Sequence, residues 1–254
     1  MKSVIMLTTP TSASGSLLRI ATSLNEGRRD VVRYYKQLRL TLPAEDIASA
    51  VPPPNDHLLY FNHPPAFNRS LRLSDYQFIA NFRDPRDQIC NAYAWQFSHP
   101  TSESEEQKQQ RIINVRNMGI DRWVIAQVNS PNRPDFFGPI FWVLDQLDPK
   151  DFAVATYAQL CCDFDAYVNN LARMLGAPTM PETEQALELE RPENLTQNDG
   201  WIGHRLEGSD ILPGRYKREL QPETIAALNE RFMAQLRQMA RHDPGFADQY
   251  LEGL

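Results

Sequence analysis

The sequence predicts an α/β protein in three layers, a central parallel β-sheet flanked by helices. Three observations lead there. Short apolar runs rich in β-branched and aromatic residues recur along the chain, each followed by turn residues. Amphipathic stripes at helical spacing stand between them. Strands that alternate with helices need crossover connections, which set the strands parallel and cover both faces of the sheet.

Four runs read as buried strands: residues 4–8, 58–62, 76–82 and 152–157. After the first, Leu17, Ile20, Ala21 and Leu24 form a helical stripe. After the third, Asp84 is placed to cap a helix that has Pro85 at its first position, with Asp87 favoured by the dipole. After the fourth, Phe164, Tyr167, Val168, Leu171 and Leu175 form a stripe stopped by Gly176 and Pro178. A long terminal helix starts at Pro222 and turns Ile225, Leu228, Phe232, Leu236 and Met239 inward. Residues 98–118, with Glu103, Glu105, Glu106, Lys108 and Arg111, read as a solvated loop and helix face. Residues 179–221, rich in Pro, Gly, Asn and Asp, read as one long loop.

The chain of 254 residues has a globular composition, 42% hydrophobic and 23% charged, and is expected to form a single domain over residues 1–254. A net charge of −6 leaves no basic footprint for nucleic acid, but a local group of arginines can still serve a small anion. Three cysteines, two of them adjacent (Cys161 and Cys162), give neither a disulfide framework nor a zinc spacing. The first apolar run is too short for a signal sequence, and no run approaches the ~20 residues of a membrane span. A cytoplasmic location is the resulting expectation.

In parallel sheets ligands bind beyond the carboxyl ends of the strands. The first strand runs into Thr9, Pro10, Thr11, Ser12, Ala13, Ser14, Gly15, Ser16 and Leu17, and then a helix. Small residues let the backbone close on an anion, and the helix start supplies free N–H groups and a favourable dipole. This is a phosphate-loop arrangement, and it makes the expected sheet P-loop-like; the same segment alone also reads as an ordinary Ser/Thr-capped helix start. The Walker A pattern has no match, which counts against an ATPase or kinase. A donor with a single 5′-phosphate beside the transferred group fits better.

The third strand leads into Arg83-Asp84-Pro85-Arg86-Asp87, with Asn91 eight positions after Arg83. This segment resembles the 3′-phosphate-binding stretch of the sulfotransferases that use PAPS (3′-phosphoadenosine-5′-phosphosulfate), where an Arg and a later Ser grip the phosphate. Further similarities follow in order. Leu58–Pro65 is similar to the family's second-strand segment ending Lys-Thr-His-x-Pro, with His63 at the catalytic base and Phe61 in place of Lys. Tyr157 and Leu160 match a segment whose Tyr lies near the adenine. Leu175-Gly176-Ala177-Pro178 resembles a helix ending of the family, and Arg205 and Gly208, with Gly214 to Lys217, resemble the loop that closes over the nucleotide.

The resemblance spans roughly residues 4–233 and implies sulfuryl transfer from PAPS, leaving PAP, to a hydroxyl or amine of a small acceptor. Backbone groups of Thr11, Ser12, Ala13, Ser14, Gly15, Ser16 and Leu17 would hold the 5′-phosphate and sulfuryl oxygens. Arg83, Asn91, Arg205 and the Gly208 loop would bind the 3′-phosphate, Tyr157 would seat the adenine, and His63 would take the proton. No metal is required. Trp95, Phe97, Trp123, Phe136, Phe137, Phe141 and Trp142 cluster in sequence and suit either the core or an apolar, aromatic acceptor. One departure stands out: the Lys or Arg of the family's loop is replaced by Thr11 or Ala13, depending on the alignment, and Arg19 is the nearest cation. Two other functions follow from such departures, a catalytically weak PAP- or PAPS-binding protein and, further off, a small-molecule kinase.

Overall fold

A computed structural model describes residues 1–34, 51, 54–62, 71–98, 102–131, 134–178, 181–197 and 211–254. The chain divides into two compact units, Met1–Arg83 with Asp135–Asn198, and Asp84–Pro134 with Asp199–Leu254.

The first unit is built on a parallel five-stranded sheet of order β2-β3-β1-β4-β5. Its strands are β1 (Val4–Thr8), β2 (Asp30–Tyr34), β3 (His57–Phe61), β4 (Gln77–Asn81) and β5 (Phe152–Val154). β1 lies between β3 and β4, and all five of its residues are buried. That position explains its unbroken apolar run, because a central parallel strand meets side chains on both faces. The sequence reading missed β2. Among the described residues it is an edge strand pairing with β3 alone, and its Asp30 and Arg33 interrupt the apolar signal. β5 is shorter than expected because Thr156 leaves the strand to cap a helix, its hydroxyl accepting from the Gln159 amide at 3.1 Å.

Helix α1 (Ser14–Asn25) follows β1 and buries Leu17, Ile20, Ala21 and Leu24, the stripe read from sequence. The second unit begins after β4 with α2 (Pro85–Ser98), α3 (Glu105–Met118) and α4 (Ile120–Val128). The first unit resumes with α5 (Gly138–Gln146), α6 (Tyr157–Cys162), α7 (Phe164–Leu175) and α8 (Pro181–Glu188). α7 is capped by Asp163 and closed by Gly176 in the left-handed region at φ 63°, as its sequence signals indicated. Its last carbonyls are held from the far side of the sheet order: Arg28 donates to Gly176 O at 2.8 Å and Arg29 to Leu175 O at 2.9 Å.

The expected long loop over 179–221 is corrected in part. Pro181 opens α8, and Pro192–Gln197 is a 3-10 turn, because a proline at the first helical position starts a helix where the sequence reading counted it as a breaker. Residues 198–210 lie outside the described residues.

The second unit continues with α9 (Tyr216–Glu219), α10 (Pro222–His242) and α11 (Ala247–Leu251). α10 buries Leu228, Phe232, Leu236 and Met239, while Ile225 is half-buried. α3 is a mostly exposed helix opened by a reciprocal capping box between Ser104 and Gln107. No helix of the described residues is long and apolar enough to cross a membrane.

The hub of this unit is Arg86, which is fully buried. Its guanidinium meets the Asp84 carboxylate (2.8 Å), Asn229 Oδ1 (2.8 Å) and the carbonyls of Gln249 (3.1 Å), Tyr250 (3.0 Å) and Glu252 (3.0 Å). It also lies 4.3 Å from the centre of the Tyr216 ring. Beside it, Asp87 accepts from the Gly214 and Tyr216 amides at 2.8 and 3.0 Å, so its carboxylate fixes a chain turn in addition to facing a helix start.

Replacing Arg86 with Met should leave the buried Asp84 carboxylate without its cation, holding only the backbone amide of residue 86 among the described residues. It should also remove one donor each from the carbonyls of Gln249, Tyr250 and Glu252. A loss of about 3–5 kcal/mol is expected in urea-induced unfolding of the full chain. A change under about 1 kcal/mol would mean that the second unit does not depend on this arginine.

Candidate functional site

The strand order places the site. β3 stands on one side of β1 and β4 on the other, so the chain changes direction across β1 between them. A crevice for ligands forms at the carboxyl ends of the strands flanking such a reversal. Thr8 and Asn81 end β1 and β4 in register, and the two segments that follow them carry the candidate residues.

The loop from Thr9 to Ala13 is tied to β4 by one side chain. The Thr9 amide donates to the Asn81 carbonyl at 3.0 Å. The Asn81 side-chain amide donates to Ala155 O at 2.7 Å, and its oxygen meets the Ser12 hydroxyl. Ser12 is fully buried and its hydroxyl lies 2.6 Å from Thr9 O. Asn81 therefore joins the ends of β1, β4 and β5. A polar residue ending an apolar strand is the signal that could have found it.

Between these ties the backbone takes an uncommon course. Thr11 and Ala13 both lie in the left-handed region, at φ 57° and 58°. Such positions cost a residue with a Cβ about 1–3 kcal/mol and collect at ligand sites. Ala13 is also the residue before α1, and it offers no side-chain cap. The first-turn N–H groups of α1 have no acceptor inside the helix. This loop thus presents uncapped donors at the positive end of a twelve-residue helix. The Ser14 hydroxyl reaches Asn62 Oδ1, just past β3, at 3.4 Å. The Thr9 and Thr11 hydroxyls are buried with no hydrogen-bond partner among the described residues.

Arg83 comes two residues after β4 and is 4% exposed. Its Nη1 donates to Thr11 O at 3.3 Å, and its guanidinium lies 3.9 Å from the centre of the Tyr157 ring. Tyr157 is the first residue of α6, and its amide donates to Phe82 O at 2.9 Å. The sequence reading put Tyr157 at the end of a strand; the structure turns the chain at Thr156 and packs the ring against Arg83.

Of the sequence-derived site residues, Thr11, Ser12, Ala13, Ser14, Gly15, Ser16, Leu17, Arg83 and Tyr157 all belong to the first unit, and Arg83 joins the loop to Tyr157. Asn91 lies on α2 in the second unit, where its Oδ1 is 3.5 Å from Arg215 Nη1. Arg215 is held in turn by Glu219 at 2.6 Å. His63, Arg205 and Gly208 lie outside the described residues. Within the aromatic cluster, Trp123, Phe137 and Phe141 are buried, whereas Trp142 is exposed. Phe141 packs edge-on against Phe82, so this pair belongs to the core of the first unit.

Sequence reasoning did not foresee Glu190. It is buried and forms a two-point ion pair with Arg19. Nothing in the sequence links positions so far apart.

No protein-family model matches the chain, and no curated protein matches it by sequence. Solved structures do. Mouse sulfotransferase SULT7A1, complexed with PAP, is 10% identical with a TM-score of 0.58, over 96% of this chain and 86% of that one. A retinol dehydratase in complex with androsterone and the inactive cofactor PAP is 11% identical with a TM-score of 0.58, over 95% and 81%. A retinol dehydratase with retinol and PAP is 13% identical with a TM-score of 0.53, over 95% and 82%. The likeness is one of fold: the chain folds as these sulfotransferases do.

The left-handed loop residues are open to test. Ala13→Gly should keep or raise stability, by up to about 1 kcal/mol, because glycine adopts this backbone without strain. Ala13→Val should lower it by more than about 1 kcal/mol. Urea unfolding of both variants checks the contrast, and equal stabilities would show that the loop carries no strain.

Proposed function

We propose that this chain is a PAPS-dependent sulfotransferase that moves a sulfuryl group to a hydroxyl or amine of a small-molecule acceptor. One observation carries the reading. A buried guanidinium, Arg83, is hydrogen-bonded to the very loop whose helix start is left uncapped. A crevice of this kind offers two separate attractions for anions, which suits a nucleotide bearing phosphates at both its 5′ and 3′ positions. The three solved structures of like fold were each complexed with PAP, which supports the same ligand here. That likeness runs over 95–96% of the chain and supports one sulfotransferase-like domain over residues 1–254.

The donor fits the residues present. First-turn N–H groups of α1, with the buried Thr11 hydroxyl beside them, would take the 5′-phosphate and the sulfuryl oxygens. Arg83 would take the 3′-phosphate, and this phosphate distinguishes PAPS from ATP. Asn91, Arg205 and Gly208 are assigned to the same ligand group by sequence alone, as is Tyr157 to the adenine.

Transfer runs in line through a loose transition state, with charge spread over the outer oxygens. The acceptor oxygen forms a bond to sulfur while the sulfur–oxygen bond to the 5′-phosphate breaks. The electron pair leaves on that phosphate, giving PAP, and the acceptor proton passes to a base. His63, two residues beyond β3 in the sequence, is assigned as that base. The ordinary pKa of a histidine, about 6.5, suits such a role near neutrality. Androsterone and retinol, bound in the dehydratase structures, are small apolar molecules. An apolar hydroxyl compound is accordingly the first acceptor class to try.

A second reading is a PAP-binding protein with little turnover, favoured by the missing cation in the loop sequence. Titration calorimetry with PAP, 5′-AMP and ATP tests the site first. PAP should bind best, and Arg83→Ala should weaken it by about 10–100-fold while changing 5′-AMP little. If wild type binds PAP no better than 5′-AMP, the 3′-phosphate site is absent. Transfer from PAPS to a panel of hydroxyl acceptors then separates enzyme from binder. His63→Ala should slow that transfer by about 10²–10⁴.

A further inference from the structure

The loop after β1 has neither Lys nor Arg among residues 9–18, although a transferring sulfuryl group leaves negative charge on the 5′-phosphate there. Arg83 reaches the loop at Thr11 O from beyond β4, and a second guanidinium reaches it from further along α1. Long helical side chains lean toward the helix N-terminus, so a residue at position 19 covers the turn that holds positions 15 and 16. Arg19 does this: its Nη2 donates to the Ser16 hydroxyl at 3.2 Å. A Cβ added at Gly15 would stand 3.3 Å from its Nη1. The guanidinium thus lies along the first turn of the helix whose N–H groups are uncapped.

An exposed arginine would not ordinarily keep one direction, because its long side chain has much rotamer freedom to lose. Here a carboxylate fixes it. The Glu190 side chain is 5% exposed and holds Arg19 at both oxygens, through Nε and through Nη2 at 2.8 Å. Paired arginine–carboxylate forks are strong and set orientation as well as distance. The Glu190 charge also reaches the fully buried Tyr167, whose phenol is pushed above its ordinary range by burial first and by that charge second. The phenol therefore stays neutral and adds no competing charge.

The fork uses Nε and Nη2. Nη1 has no hydrogen bond to the described residues, and the Arg19 side chain is 40% exposed. Two N–H donors therefore remain open beside Gly15. The glycine matters for this, since a side chain there would crowd Nη1.

We propose that Arg19 is the cation of this phosphate loop, contacting the 5′-phosphate and its departing oxygen, and that Glu190 is the residue that positions it. The proposal rests on the sulfotransferase reading for the nature of the reaction, but not for the place of the arginine. Pairing with Glu190 reduces the net charge at the site. In exchange, the donors are oriented before the ligand arrives, which is what charge stabilisation in a transition state requires.

The test compares two monophosphates. Titration calorimetry is run with 5′-AMP, 3′-AMP and PAP on wild type, Arg19→Ala, Arg19→Lys and Glu190→Gln. Arg19→Ala should weaken 5′-AMP and PAP by about tenfold or more and leave 3′-AMP unchanged. Arg19→Lys, which keeps the charge but not the fork, should fall between, and so should Glu190→Gln. In PAPS turnover with a working acceptor, kcat should fall in Arg19→Ala by a larger factor than PAP affinity does. A merely structural arginine would weaken both monophosphates alike or neither, and either result overturns the proposal. Should wild type bind PAP no better than 5′-AMP, the sulfotransferase reading is the part that fails. A selective loss of 5′-AMP binding in Arg19→Ala would still uphold the arginine at the loop, and its absence would remove both.

Discussion

The candidate site depends on one buried amide. Asn81 ends β4 opposite Thr8, and its side chain holds Ala155 beyond β5 on one side and Ser12 of the loop on the other. Three strand ends are thus joined at the height where a ligand would enter. Each such bond contributes only about 1 kcal/mol net, but leaving a buried polar partner unmade costs more. That asymmetry makes the arrangement hard to loosen in part. With Ser12 held down, the chain must rise and turn within a few residues to start α1, and it does so through Thr11 and Ala13 in the left-handed region. The helix start is left uncapped because the residue before α1 is an alanine with no side-chain oxygen to offer.

Arginine serves opposite purposes in the two units, and burial with its partners decides which. Arg86 is fully enclosed, and carboxylate, carboxamide and carbonyl oxygens surround its guanidinium. It has nothing left for a ligand and acts as the frame of the second unit. Arg28 and Arg29 satisfy the last carbonyls of α7. Arg83 instead stands just past β4, fixed by Thr11 and Tyr157, and Arg19 lies early in α1, fixed by Glu190. In a chain of net charge −6, guanidinium groups held in fixed directions can serve a small anion without making the protein basic.

The fold was largely present in the sequence because its signals are local. β1 announces itself by an apolar run that only a central strand needs, and α7 by its stripe and its closing glycine. β2 was invisible for the converse reason: an edge strand has one neighbour and tolerates charge, so Asp30-Val31-Val32-Arg33-Tyr34 carries little pattern. The prolines of residues 179–221 misled because proline breaks a helix at its middle and starts one at its first turn, and α8 uses it in the second way.

For the site, the residues alone marked the loop after β1 and the arginine after β4 as candidates. These follow from residue type and from position relative to a strand end, both of which are written along the chain. Only the tertiary structure decided which groups meet. It set Tyr157 against Arg83, turned Asn81 into the joint of three strands, and brought Glu190 to Arg19. Those pairings join residues far apart in sequence, and packing of the sheet and its helices brings them within hydrogen-bond distance. Hydrogen bonds and ion pairs act over a few ångströms of space and are blind to separation along the chain, so the sequence carries no mark of them.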